Sequence, residues 1–389
     1  MIETDRTIST ILKHDRKTNS YKIALVRSIN DVVLAFPDVR SLGRDVAVPL
    51  RLLAHYWLAY YWPFVDKVNP VWQGQRAHDP RDGRLRNDIA FRPELTDLRQ
   101  QWQKIIGQGA RAADGFFLIN ERRVARRWQS YPAAFRAAYE KAVVAIVKAI
   151  HMPICYAGPG QWAVFARPVP YKQMPASMVA VPGTQPNERC VVVTADLWAA
   201  FRRLSLWAEA LCIHEWCLLS ERFQPDVVLD DYRGIVYGLL TDRPDNRRPL
   251  TWERNQIDLM LLEGTVFTCP WTEKPIRAGM GYDLDHLVPL AIYPTNELWN
   301  LLPSDPAFNK RVKRDRLPSA SRLLQAQPHL TAAYGLYEQQ ATLGPVLRED
   351  VAARFVTVDP DSQNFPAGVA QAVVGLIEQV IDARHWQQF

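Results

Sequence analysis

A histidine beside a carboxylate, followed by two amides and a lysine, can hydrolyse a phosphodiester. The chain carries such a set at Asp285, His286, Asn300, Asn309 and Lys313. A phosphodiester is an anion that repels hydroxide and has a poor leaving group. Its hydrolysis needs a deprotonated water, a cation at the phosphate and stabilisation of the departing oxygen. An imidazole titrates near neutrality, which makes His286 the natural general base. Asp285 suits a hard cation, and Asn309 would supply a second protein oxygen. One divalent ion held by so few protein ligands fits Mg²⁺ or Mn²⁺, which keep waters and substrate oxygens, better than zinc. If Asp285 and His286 lie on a strand, they point to opposite faces, so a bulge or bend must converge them on one phosphate.

The elements around these residues follow from local signals. Ser304 reads as the N-cap of a helix, with Asp305 in its first turn and Pro306 near its start. That helix would carry Asn309 on its second turn, followed by Lys310, Arg311, Lys313, Arg314 and Arg316. With Asp315 as the lone acid among them, these cations make a face that could lie along a nucleic-acid backbone.

At these residues the chain resembles an HNH endonuclease domain of the ββα-metal type, in which two short strands, a loop and a helix grip one divalent ion. The resemblance implies that His286 is the general base and that Asp285 and Asn309 bind the metal. It implies that Asn300, in the segment from Asn296 to Pro303, braces the loop behind the base. Lys313 matches a lysine often found four residues after the last metal ligand. The segment from Cys269 to Ile276 resembles the strand-turn unit that opens many such domains. Many members also carry two Cys-x-x-Cys pairs. Here Thr272 stands three residues after Cys269 and no later cysteine exists, so no structural zinc is expected.

The remainder of the chain sets the context. Its 389 residues allow two or three domains, and 48% hydrophobic with 23% charged residues describes an ordinary globular protein. A net charge of +6 permits nucleic-acid binding without demanding it. The five cysteines show no framework spacing and suggest reduced thiols in a cytoplasm. The polar start at Met1 does not read as a secretory leader, and the aromatic run at 53–65 is too short to span a bilayer. The expected partners are therefore DNA and, for gating or a double-strand break, a partner subunit or second protomer, with no membrane.

Up to residue 250 the periodicity is mainly helical. Val26, Ile29, Val33 and Phe36 give one apolar face on a helix that stops before Pro37. Further helices are predicted over 49–62, 94–106, 117–129, 132–150 and 196–219. A Pro/Gly-rich interruption covers 157–182, and 190–194 could be a strand. Residues 241–249, with two prolines and no apolar side chain, read as a linker. Beyond it, helices are predicted over 252–263, 321–342 and 368–386.

The fold class is thus mainly α with a small α+β insertion. Residues 1–250 form a helical N-terminal recognition or regulatory region, 251–320 the HNH domain and 321–389 a helical C-terminal tail. The segments at 19–29 and 48–62 also resemble the amino-terminal part of large bacterial HNH proteins, some of restriction or phage-defence loci. The arginines at 122, 123, 126 and 127 read either as a DNA-contact face or as a solvated or salt-bridged one. His214 lacks the second histidine of a zinc helix, so Cys212, His214 and Cys217 read as core or interface residues. The rival function is a nucleic-acid-binding or assembly subunit whose HNH fold is inactive or gated by a partner.

Overall fold

The computed structural model describes residues 3–37, 39, 42–75, 88–224, 231–242, 250–293, 295–384 and 386–389. It is mainly helical and divides into two compact units, Met1–Pro244 and Asp245–Phe389. Most of the linker read at 241–249 lies outside the described residues.

The first unit is built around α2 (Tyr21–Ala35), which follows α1 (Glu3–Ser9) and is buried on nearly every side. It ends at Ala35, ahead of Pro37, because residues next to a proline leave the helical region. Around it pack α3 (Leu50–Tyr61), α7 (Ala133–Tyr156) and α8 (Ala195–Arg222), while α4 (Arg92–Ile106) lies on α7 and α9 (Tyr232–Thr241) on α8. The predicted helix over 117–129 is two helices, α5 (Asp114–Arg123) and α6 (Ala125–Gln129), broken where Val124 turns extended and enters the core. At Gly115 any side chain would meet the backbone of Ala59 at 2.7 Å, so glycine is what lets α5 close on α3.

The tryptophans are largely core residues. Tyr61 meets Phe91 edge-on at 5.0 Å and lies tilted against Trp216 at 5.3 Å, and aromatic pairs of this kind are worth more than the buried area alone. A small sheet in the order β2-β4-β1-β3 completes the unit: β1 (Val46–Pro49), β2 (Val169–Pro170), β3 (Val179–Ala180) and β4 (Arg189–Val193). β4 is the strand predicted at 190–194. Its partner β1 was not foreseen, because four residues ahead of a helix leave too short a pattern.

The second unit opens with α10 (Thr251–Leu262) and a hairpin of β5 (Phe267–Thr268) and β6 (Pro275–Ile276). Next come β7 (Asp283–His286), a loop, β8 (Leu301–Ser304) and α11 (Pro306–Phe308), which runs on as a π-helical turn over Asn309–Lys313. The helices α12 (Ala320–Gln339), α13 (Leu343–Arg354) and α14 (Phe365–Arg384) follow. One hydrophobic core includes residues of both the strand segment and these helices, among them Leu284, Trp299, Leu301, Tyr334, Val351 and Ile377. Among the described residues no helix is long and apolar enough to cross a membrane.

Candidate active site

Strand pairing fixes the first carboxylates. β7 runs antiparallel to β8 with Asp283 opposite Ser304, Asp285 opposite Leu302 and His286 opposite Leu301. Alternation along β7 places Asp283 and Asp285 on one face and His286 on the other, and the register runs one-to-one through His286, so the bulge expected to converge Asp285 and His286 is absent from the strand. The chain then turns at Asp305, whose Oδ1 accepts hydrogen bonds from Ala307 N at 2.9 Å and Phe308 N at 3.4 Å. The N-cap is therefore Asp305 and not Ser304, because Ser304 is still engaged in the strand pair. Lys274 Nζ donates to the other oxygen of Asp305 at 2.7 Å, tying the hairpin to the helix start.

The helical segment meets that strand through two side chains. Asn309 Nδ2 donates to Asp283 Oδ2 at 3.1 Å, and Lys313 Nζ donates to Asp285 Oδ1 at 3.0 Å and to the His286 carbonyl at 2.7 Å. The intervening turn is a π turn, closed by Arg314 N on the Asn309 carbonyl at 2.8 Å, with Arg314 in the left-handed region at φ 51°. Such turns are rare and recur at functional sites.

Lys313 is 1% exposed, so it is turned inward onto Asp285 and is not part of an outward basic face. Its aliphatic stem packs in the interior while the ammonium meets a carboxylate that would otherwise be buried alone. Lys310, Arg311 and Arg314 are exposed, and Arg316 is half-buried with its guanidinium on the Val312 carbonyl.

Asp285 is 8% exposed, and its second oxygen, Oδ2, has no hydrogen-bond partner among the described residues. Burial pushes its carboxyl above the ordinary aspartate range, against the pull of Lys313 and, more weakly, of the Trp271 indole. Lys313 holds Oδ1, and the Trp271 indole N–H, which has no other partner among the described residues, acts on the same carboxylate. Asn309 reaches this face through its Nδ2, which is bonded to Asp283. Among the described residues no group of three or more His, Cys, Asp or Glu could hold a metal.

His286 is the last residue of β7 and leads into the loop between the strands. Asn300 is fully buried and braces it: its Oδ1 accepts from Val288 N at 2.8 Å, and its Nδ2 donates to the carbonyls of Val288 at 3.1 Å and Thr295 at 3.4 Å. His286 Nε2 lies 2.8 Å from Asn296 Oδ1. An amide oxygen only accepts, so Nε2 carries the proton and Nδ1 keeps the lone pair of a base. Burial, with a smaller push from Lys313, lowers the pKa of His286 against the opposing effect of Asn296, which favours the neutral, proton-accepting imidazole.

Two of these partners, Asp283 and Asn296, were not assigned from sequence. Strand alternation alone marks Asp283, two residues before Asp285. Nothing local marks Asn296, which reaches His286 only when the loop is closed. In the first unit the arginine run is largely engaged: Arg127 is buried, Arg122 approaches Glu140 at 3.6 Å, and Arg123 and Arg126 are also partnered. Cys212 and Cys217 are buried, whereas His214 is exposed.

The sequence model of a family described as a domain of unknown function (DUF8808) matches residues 2–240, and the chain belongs to that family. No curated protein and no solved structure matches the chain. The family match ends within the first unit and does not reach β7, the loop or the π turn.

Proposed function

We propose that the second unit is a metal-dependent endonuclease that hydrolyses DNA phosphodiester bonds, and that the first unit recognises the target or regulates cutting. The observation that carries this reading is that Asn309 and Lys313 of the π turn reach the Asp283–Asp285 face of β7, while Asn296 bonds the imidazole of His286 at the strand's end and Asn300 braces the loop behind it. The likeness of these residues to the HNH pattern supports the same chemistry, and bacterial phage defence or restriction is the setting it suggests.

Asp285 and Asn309 would hold a Mg²⁺ or Mn²⁺ ion, which supplies Lewis-acid stabilisation of the phosphate and of the departing 3′ oxygen. His286 Nδ1 takes a proton from the attacking water, the new P–O bond forms, and the bond to the 3′ oxygen breaks. Lys310, Arg311 and Arg314 contact flanking phosphates from the exposed face. One such site cuts one strand, so a double-strand break needs a second protomer or a second nick.

Supercoiled plasmid with Mg²⁺, Mn²⁺ or EDTA tests this. The wild type gives open circles with metal and none with EDTA, while His286→Ala loses about 10²-fold or more in rate with DNA affinity retained. Equal cutting by the variant, or cutting in EDTA, contradicts the assignment. RNA run in parallel fixes the substrate class. The rival, an HNH-fold binding subunit silent until a partner acts, draws on one observation: Lys313 already neutralises Asp285. It predicts no cutting by the isolated chain and cutting once the partner is added.

A further inference from the structure

We propose that Asn296 is the positioning residue for His286, and that α13 holds it in place through Asp350. The inference rests on the nuclease reading above. An imidazole at the end of a strand can flip and exchange tautomers, and only one arrangement aims a lone pair at the attacking water. Here the Asn296 amide oxygen, 2.8 Å from Nε2, selects the arrangement that leaves Nδ1 free.

Asn296 is itself held by its surroundings. Every residue from Thr295 to Asn300 is buried. Asn300 Nδ2 takes the Thr295 carbonyl, and the Tyr334 hydroxyl of α12 donates to the Trp299 carbonyl at 2.6 Å. On the far side Asp350, fully buried on α13, accepts from Leu298 N at 2.8 Å. The Trp299 ring meets Phe355 edge-on at 5.1 Å, and the Arg354 guanidinium lies over Phe355 at 5.1 Å. Burying a carboxylate is costly, so Asp350 marks a position where a specific backbone donor has to be met. The C-terminal helices thereby become part of the catalytic apparatus.

The test uses the full chain and reads kcat and KM separately. N296A and N296L are expected to lose about 10- to 100-fold in kcat with KM for DNA unchanged, in line with other groups that orient a working histidine. N296D keeps an acceptor oxygen in place and should restore most of that loss. D350N keeps an acceptor for Leu298 N and should outperform D350L in the same way. Long-range ¹H–¹⁵N spectra of histidine-labelled wild type give a readout that needs no variant: the ring of His286 should show the Nε2–H tautomer. Wild-type kcat in N296A, a loss in N296D as large as in N296A, or an Nδ1–H tautomer in the wild type each overturns the proposal. If the wild type itself does not cut while the tautomer is as stated, the nuclease reading fails and the positioning contact stands.

Discussion

Lys313 and Asp285 show how far a single pair can depart from its sequence reading. Type and spacing mark Asp285, His286, Asn300 and Asn309 as a set, since few other combinations of acid, imidazole and amide invite a metal-assisted hydrolysis. The same spacing put Lys313 among outward cations, because nothing in a run of Lys and Arg says which side chain turns inward. The structure turns it onto Asp285 at 3.0 Å, beneath a helix that has locally become a π turn. Lys313→Met leaves a buried carboxylate without its cation and is expected to cost about 3–5 kcal/mol at neutral pH. The pH dependence follows from the raised pKa of Asp285. Its contribution to stability is full below the unfolded value of about 4 and is lost as pH rises through the higher folded value. Removing Lys313 raises the folded value further, so the variant's deficit shrinks in acid. Urea unfolding across pH, with and without Mg²⁺, measures this, and Mg²⁺ should protect the variant more than the wild type. A variant as stable as wild type at neutral pH would mean that Asp285 is protonated in the folded protein.

Element boundaries decide whether these side chains meet at all. The helix carrying Asn309 and Lys313 starts one residue later than its Ser-Asp-Pro signal suggested, because pairing with β7 keeps Ser304 extended and hands the cap to Asp305. Most helices of the chain were legible from apolar spacing. α13 was not, although Leu343, Leu347 and Val351 are buried at helical steps, because Gly344 and Pro345 in its first turn read as a breaker. Gly344 is there for room: a side chain would come within 2.5 Å of the Glu338 carbonyl at the end of α12. Asp305→Ala removes the cap that starts the metal-side helix and should cost about 1 kcal/mol, while Asp305→Asn keeps the acceptor and costs less. Lys274 holds the Asp305 carboxyl below its ordinary range, and burial only partly opposes this. A depressed carboxyl lends stability above the unfolded value of about 4, which is lost as pH falls through the folded value. The difference between wild type and Asp305→Ala should therefore narrow in acid, in melts from neutral pH downward. A constant gap across that range would assign the loss to packing instead of the charge.

At the scale of the whole chain, family membership and candidate chemistry fall on different units. The family match covers 2–240, within Met1–Pro244, while all the site residues lie within Asp245–Phe389. Each unit has its own hydrophobic core: Trp57, Trp198 and Trp216 belong to one, Trp299, Tyr334 and Val351 to the other. The composition change near 241–249 hinted at this division, but the role of 321–389 was hidden. Its residues look like an ordinary amphipathic tail until Tyr334, Tyr337 and Asp350 are seen to bond the backbone of Trp299, Leu301 and Leu298. A unit with its own core can fold alone. Produced separately, 1–244 and 245–389 should each melt cooperatively, with metal-dependent nicking confined to 245–389. Ending the second fragment at residue 320 should abolish both its folding and its activity, since the segment around the histidine loses the helices that bury it. Nicking by 245–320 alone would show that the strand-loop-helix unit is self-sufficient and that the C-terminal helices serve another purpose. Nicking by the intact chain but not by 245–389 would assign the first unit a direct part in holding the DNA.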